Sequence, residues 1–366
     1  MITSFHIHNF RGYHDARIAL EKYNCIVGGN GSGKTHILEA IHLASGGSLH
    51  YIQAPRYEDS AFEIGYQEEA GIKTYSRERK EKKDIYKIQG KAISGAKYNA
   101  NIPYRTVFVS PFDMNLFYFA PSIRRDMLDS ILERAFGQFR SVRREYENIV
   151  RQRNALLKKI REGEAERSNL SYWNALFVEK AHIYHLYRMK WRDFVDEYIE
   201  YIQSYLPKYS ITHTYTCKIE EKCREYGLSV EESLTRYLDE NRERDIITGH
   251  THIGPHLDDF SFLIGTNADE IATENALFLS RGENKMLLLA LKQIEILFLK
   301  KQVHLPIILL FDDVFAELDL QYAEKLIQSF EADQVIMTSQ RSLPEGRNWE
   351  NFSCIHLDSA YHAENS

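Results

Sequence analysis

Gly28-Gly29-Asn30-Gly31-Ser32-Gly33-Lys34-Thr35 follows directly on the apolar run Tyr23-Asn24-Cys25-Ile26-Val27 and leads into the helical pattern His36-Ile37-Leu38-Glu39-Ala40-Ile41. A strand, a glycine loop ending in Gly-Lys-Thr and a helix are the three parts of a P-loop. The glycines let backbone N–H groups turn inward around an anion, and the helix N-terminus adds partial positive charge. Lys34 then reaches the outer phosphates, and the Thr35 hydroxyl is placed to ligate Mg²⁺. A glycine-rich turn with an incidental lysine would be the bland reading, and both flanks argue against it. The stretch predicts binding of a nucleoside triphosphate, ATP, together with Mg²⁺.

The chain has 366 residues, 43% of them hydrophobic, enough for a large core and for two or three domains. A net charge of −6 excludes a bulk polyanion binder, so any nucleic-acid contact has to be local. Cys25, Cys217, Cys223 and Cys354 are scattered without a C-x-x-C pair, which argues against a zinc ribbon or disulfide framework and fits a reducing compartment. The sequence shows no targeting segment and no apolar run long enough for a bilayer, so the expected setting is cytoplasmic, without membrane contact.

The first hundred residues read as β-rich, with short strands expected at Ile2 to His8, Tyr23 to Val27, Ala61 to Tyr66, Ile72 to Ser76, Ile85 to Gln89 and Thr106 to Ser110. From about Ile123 to Leu206 apolar residues recur at steps of three and four, interrupted at Glu162-Gly163-Glu164, which predicts an antiparallel helix pair ending at Pro207. A strand follows near Ile211 to Cys217, then a charged helix over Val230 to Glu243. Alternation of β and α returns with strands at Phe260 to Ile264, Ile307 to Phe311 and Val335 to Thr338, and helices at Glu283 to Lys301 and Tyr322 to Phe330. The economical reading is an α/β P-loop ATPase lobe, residues 1–106 and 248–366, interrupted by a mainly helical insertion at 107–247.

Ile307-Ile308-Leu309-Leu310-Phe311-Asp312-Asp313 is a buried-strand pattern ending in two carboxylates. Beside a P-loop, such an acid is what Mg²⁺ coordination needs. Asp312 is the expected metal partner, and Asp313 the group that orients or deprotonates the attacking water. About 270 residues separate the two motifs, far more than in simple kinases or Ras-like proteins, and Ser280-Arg281-Gly282-Glu283-Asn284 precedes the acidic strand by one helix. That order resembles the plan of ABC-type ATPase heads. The resemblance implies that Ser280 and its helix N-terminus cap the γ-phosphate of a nucleotide held by a second copy. Ser280 with Glu283 is also a helix capping box, and a capped helix can still face a phosphate.

Several blocks together resemble the RecF family of DNA-repair ATPases, relatives of the SMC and Rad50 heads. They are Asn9-Phe10-Arg11-Gly12-Tyr13; the loop from Gly28 to Ala40; Ser110-Pro111-Phe112-Asp113 with Pro121-Ser122-Ile123-Arg124-Arg125 and Leu128-Asp129; Tyr146 with Gln152 to Lys158; Gly254-Pro255-His256-Leu257-Asp258-Asp259; and Leu310 to Asp319. These run nearly the length of the chain in the family's order. The resemblance implies an ATP-dependent homodimer closed through Ser280, Gly282 and Asp319, phosphate sensing at Thr338, and a contact from Arg11 to the nucleotide. It also implies binding of duplex DNA near gaps or junctions, weak DNA-stimulated ATPase activity that releases it, and mediator partners of the RecO and RecR type. Departures are Arg281-Gly282-Glu283 where the family usually places Gln, Leu257 in place of an Arg, and Asp313 where many ABC ATPases have Glu. The shorter acid fits slow hydrolysis.

Two basic stretches are candidate DNA contacts. Residues 71–97 hold nine Lys and Arg against three acids, and 121–161 hold eleven against five, with Arg124, Arg125, Arg143, Arg144 and Arg151 prominent. Phosphate contact needs only positive charge at suitable spacing, and a solvated helix face has the same composition. His250, His252 and His256 with Asp258 and Asp259 superficially suggest a binuclear metal centre and a nuclease. Gly254-Pro255 breaks that run and further ligands are lacking. The sequence also admits a nucleotide-gated DNA-binding module with little hydrolysis, or a different SMC- or Rad50-like head. Heads of that kind normally carry coiled coils far longer than the roughly 80 residues of paired helix in this chain.

Overall fold

A computed structural model describes residues 1–49, 59–265, 273–274, 279–313, 329–341 and 349–357 of the chain. Packing divides it into two compact units, Met1–Met114 with Leu291–Ser366, and Asn115–Ala290. Residues 107–114 thus lie in the first unit and 248–290 in the second. Among the described residues no helix is long and apolar enough to cross a membrane.

The first unit holds two sheets. In one, β1 (Ile2–Phe10), β2 (Tyr13–Ala19), β4 (Ala61–Glu68), β5 (Gly71–Lys80), β6 (Lys83–Ile88) and β7 (Lys91–Ile93) run antiparallel in the order β2-β1-β4-β5-β6-β7. In the other, β3 (Tyr23–Val27), β8 (Arg105–Val109), β12 (Ile307–Phe311), β13 (Gln334–Ser339) and β14 (Ser353–His356) run parallel in the order β14-β3-β13-β12-β8. The two sheet types leave different sequence patterns. All of Ile307–Phe311 is buried, as expected for a parallel strand covered on both faces. In β1 the exposure varies along the strand, with Ile2, Phe5, Ile7 and Phe10 as the buried set.

Helix α1 (Lys34–Ala44) packs on strands of both sheets. One cluster joins Phe5, Ile7 and Phe10 of β1, Ile37, Leu38 and Ile41 of α1, Phe62 and Ile64 of β4, and Ile308, Leu310 and Ile336 of the parallel sheet. Each such side chain contributes roughly 1.5–3 kcal/mol on burial. The helix that opens at the P-loop is therefore fixed by the core itself. Helix α2 (Gly95–Asn101) precedes β8, with the Ser94 side chain capping it through the Lys97 N–H.

The second unit begins with α3 (Asn115–Tyr118) and α4 (Pro121–Ala135). The expected helix pair is α5 (Phe139–Arg161) and α6 (Leu170–Glu197), which pack together. The chain turns between them at Gly163, whose φ of +79° suits glycine. After α7 (Ile199–Tyr205), strand β9 (Ser210–Thr216) pairs antiparallel with β10 (Asp259–Gly265), which also pairs with β11 (Thr273–Glu274). Helix α8 (Lys218–Tyr226) lies between them in sequence. The single helix expected over Val230 to Glu243 is two helices, α9 (Val230–Glu240) and α10 (Arg242–Thr248). Asn241 leaves helical geometry at φ −105°, ψ 14°, and its amide group donates to the Tyr237 carbonyl. Asparagine competes with the helix in this way. Helix α11 (Arg281–Val303) carries the chain back towards β12, and the helix expected at Tyr322 to Phe330 lies almost wholly outside the described residues.

The return segment of the second unit is held by buried charge. Arg153, 1% exposed, meets Asp245, 0% exposed, at 2.9 Å, and also donates to Asn174 and Thr251. Asp245 additionally bonds His252. Removing one member of such a pair strands the other charge in the core. Asp245→Ala is expected to lower the unfolding free energy by about 3–5 kcal/mol in urea titration, and Asp245→Asn by less.

Candidate nucleotide-binding site

Strand β3 delivers Gly28 to the C-terminal edge of the parallel sheet, where its N–H donates to the Ser339 carbonyl at the end of β13. Gly31 and Gly33 then take φ values of +79° and +85°. Gly33 is constrained twice, since a Cβ there would lie 2.8 Å from the Tyr13 ring. The Tyr13 hydroxyl donates to the Ser32 carbonyl at 3.2 Å, so Tyr13 forms a wall behind the loop. Lys34 is buried and folds over the loop, donating to the carbonyls of Gly28 at 2.6 Å and Gly29 at 2.7 Å.

The acidic strand meets this loop. Thr35 Oγ1 lies 2.9 and 2.8 Å from the two carboxylate oxygens of Asp312 and donates to them. Thr338 Oγ1 donates to Asp312 Oδ1 at 2.9 Å and accepts the Asp313 N–H at 2.8 Å. The Asp312 N–H in turn donates to the Val109 carbonyl. Burial raises the Asp312 pKa, and the Thr35 and Thr338 hydroxyls oppose the shift. Asp313 is half-buried at φ +45° and accepts from Gln340 Nε2 at 3.1 Å. The donor set fits Mg²⁺. It is all oxygen, and neighbouring ligands of an octahedral Mg²⁺ stand about 3 Å apart, close to the separation of the Thr35 and Asp312 oxygens.

Arg11 sits in the β1–β2 turn at φ +55° and pairs with Glu39 of α1 at 2.9 Å. Its Nε is buried without a hydrogen-bond partner among the described residues. Sequence reading identified Arg11 but not Glu39, which looks like an ordinary polar position on the P-loop helix. Tyr13 and Gln340 were also missed. Tyr13 belongs to β2, a strand too broken by charge to stand out, and Gln340 is a single polar residue after β13.

Ser280 and Gly282 are exposed at the start of α11. The capping box is formed: the Ser280 hydroxyl and N–H both donate to Glu283 Oε2, at 2.7 and 3.0 Å, and the Glu283 N–H donates back to Ser280 Oγ. Tyr209 donates to the same carboxylate and, with Ser280, lowers its pKa. A Cβ added at Gly282 would meet no atom of the described residues within 4 Å. Asp319 lies outside the described residues.

The basic candidates divide. Arg124 makes a two-pronged pair with Asp259 at 2.7 and 2.8 Å and donates to the carbonyls of Leu116 and Phe119. Arg125 donates to the Asp258 carbonyl. Arg143 lies among Asp126, Asp129, Glu133 and Glu147. Arg144 and Arg151 are exposed, two turns apart on α5. In the histidine run, His250 is exposed, His252 bonds Asp245, and His256 meets the Tyr146 hydroxyl at 2.5 Å, with burial lowering its pKa to about 4. Asp259 is taken by Arg124. Among the described residues that run forms no metal cluster of its own.

A glycine cradle and helix N-terminus facing an acidic strand end, on a parallel sheet, define a P-loop nucleotide-binding fold. The family model described as "AAA domain" matches residues 4–295. The DNA replication and repair protein RecF of Flavobacterium johnsoniae is 29% identical over 339 residues, covering 89% of each chain. Its namesake from Ruminiclostridium cellulolyticum is 27% identical over 353 residues, 92% of each. A solved structure of "the recombination mediator protein RecF-ATPrS in RecFOR pathway" shares the fold, with a TM-score of 0.82 at 22% identity over 97% of this chain and 95% of that one. The chain belongs to the AAA-domain family, and its similarity to the RecF proteins extends over 89% and 92% of its length in these two comparisons.

Asp312 gives a test with opposite signs for stability and binding. A raised pKa means that the favourable contribution of the protonated form is present below the ordinary aspartate range and is lost as pH rises through the shifted value. Asp312→Asn removes the buried charge while leaving an oxygen acceptor for Thr35 and Thr338. The ligand-free variant is expected to unfold at an equal or higher temperature at pH 7. Titration calorimetry should show that it has lost the Mg²⁺-dependent part of ATP affinity.

Proposed function

We propose that this protein is an ATP-dependent DNA-binding protein of recombinational repair and replication. The observation that carries the reading is the meeting of Lys34, Thr35, Asp312 and Thr338 at one sheet edge. ATP lies along Gly28, Gly29, Asn30, Gly31, Ser32 and Gly33, and Lys34 turns from the loop carbonyls to the outer phosphates. Thr35 and Asp312 hold Mg²⁺, which neutralises charge on the phosphate oxygens. Asp313, steadied by Gln340, orients the attacking water, and Thr338 keeps both acids in register and senses the γ-phosphate. Arg11, braced by Glu39, stands beside the nucleotide.

The exposed start of α11 fits a second copy, whose nucleotide would be capped by Ser280 and Gly282, with Asp319 at the same contact. The dimer binds duplex DNA near gaps or junctions, with Arg144 and Arg151 touching phosphate, while Arg124, Arg125 and Arg143 support the surface from within. Slow hydrolysis, stimulated by DNA, releases it. Partners of the RecO and RecR type follow from the family. A second reading, a nucleotide-gated DNA-binding module with little turnover, is favoured by Asp313 being both short and already bonded to Gln340.

Sedimentation with ATP, ADP or no nucleotide tests dimer formation. An ATP-specific dimer is expected, lost in Gly282→Arg, a change at an exposed position where a Cβ meets no described neighbour and which leaves the Ser280 cap in place. A monomer under every condition rejects the shared site. Lys34→Met should abolish DNA-stimulated turnover, whereas ATP affinity without turnover in the unaltered chain selects the gated module. Arg144→Glu with Arg151→Glu should weaken duplex binding and reduce the slope of log affinity against log salt by about 2.

A further inference from the structure

Within the second unit, three ligand-type side chains from distant parts of the sequence converge in the core. They are His185 of α6, Cys217 at the start of α8, and Asp258 just before β10. Their ligand atoms all lie within 4.8 Å of one another, and all three residues are buried. His185 Nδ1 stands 3.7 Å from Cys217 Sγ. With Zn–S near 2.3 Å and Zn–N near 2.0 Å, the edge of a tetrahedral zinc site between those atoms is about 3.6 Å. The widest separation closes with a shift of about 1 Å, within reach of side-chain rotation. The geometry points to a structural zinc site formed by His185, Cys217 and Asp258.

Sulfur, imidazole and carboxylate together select a borderline cation such as Zn²⁺ over Mg²⁺ or Ca²⁺. Three protein ligands leave the fourth position for water. Binding forms a sulfur–zinc bond and releases the thiol proton to solvent, and zinc stays divalent. One thiolate and one carboxylate then balance the ion, so the occupied site is neutral, one positive charge above the cluster with its thiol protonated and its carboxylate ionised. The neighbouring guanidinium of Arg188, 4.0 Å from Asp258, is already paired with Asp129 at 2.9 Å. An outer shell is in place as well, since the Tyr215 hydroxyl donates to Asp258 Oδ2 at 3.0 Å.

The ion would add a covalent-strength link among three segments that packing, hydrogen bonds and the ion pairs Arg188–Asp258 and Arg192–Glu220 already hold together. One of them, Asp258-Asp259, holds Arg124 and Arg125 of α4. The site is thus a clamp on the return segment, separate from the nucleotide chemistry.

Co²⁺ is the probe, added to the full chain after dialysis against a chelator. One equivalent is expected to bind with a thiolate-to-cobalt charge-transfer band and visible bands of tetrahedral intensity, and Zn²⁺ should displace it. Zn²⁺ should also raise the unfolding temperature by several degrees. Cys217→Ser should abolish the charge-transfer band, and Cys223→Ser and Cys354→Ser should leave it. Should Cys217→Ser not fold, alkylation mapping of the unaltered chain in moderate urea decides. Zn²⁺ is expected to slow modification of Cys217 and not of Cys223 or Cys354. Absence of a thiolate band, a band that persists without Cys217, or equal alkylation with and without Zn²⁺ would overturn the site and leave a hydrogen-bonded core cluster.

Discussion

The Asp312 carboxylate, shared between the hydroxyls of Thr35 and Thr338, is the contact on which the arrangement of the first unit turns. It joins the first turn of α1 to the ends of two neighbouring parallel strands. The register of β12 on β13, with Phe311 opposite Met337, brings Thr338 level with Asp312. The register of β13 on β3, with Ser339 opposite Val27, sets the glycine loop beside both. A buried acid held by two hydroxyls costs desolvation, which is why its pKa rises. The structure therefore carries a destabilising group where a metal ion would be most useful, a recurrent trade at functional sites.

The antiparallel sheet serves the same edge from the other side of α1. Its β1–β2 turn brings Tyr13 against Gly33 and Arg11 against Glu39. The P-loop is thereby braced by side chains from a second sheet as well as by its own. Two positive-φ residues, Asn9 and Arg11, flank Phe10 in that strand end, and such strain persists only where the surroundings over-determine it.

Much of this was legible in the sequence, and what was not has a physical reason. The glycine loop and Ile307–Phe311 could be placed because local chemistry dictates them: φ values that suit glycine, and burial on both faces. Strand β2 was not seen because Asp15 and Arg17 face solvent around Ala16 and Ile18, leaving too short an apolar pattern. The split at Asn241 turns on one side chain bonding back to Tyr237, which periodicity cannot register. Charge counts marked Arg124 and Arg143, but their partners, such as Asp259 in a strand 135 residues away, are set by tertiary structure. The histidine run misled in the opposite way. Its members are close in sequence yet turn to different neighbours, while Asp258 meets His185 and Cys217, which no local spacing connects.

If one copy's Lys34 acts with another copy's α11 N-terminus, mixing two inactive chains shows it most directly. Lys34→Met keeps an intact Ser280–Gly282 face, and Gly282→Arg keeps an intact P-loop, so a mixed dimer contains one complete site. Each variant alone should lack DNA-stimulated ATP turnover, and the mixture should regain it. Turnover by Gly282→Arg alone, or a mixture no more active than its separate parts, would contradict a site shared between two copies.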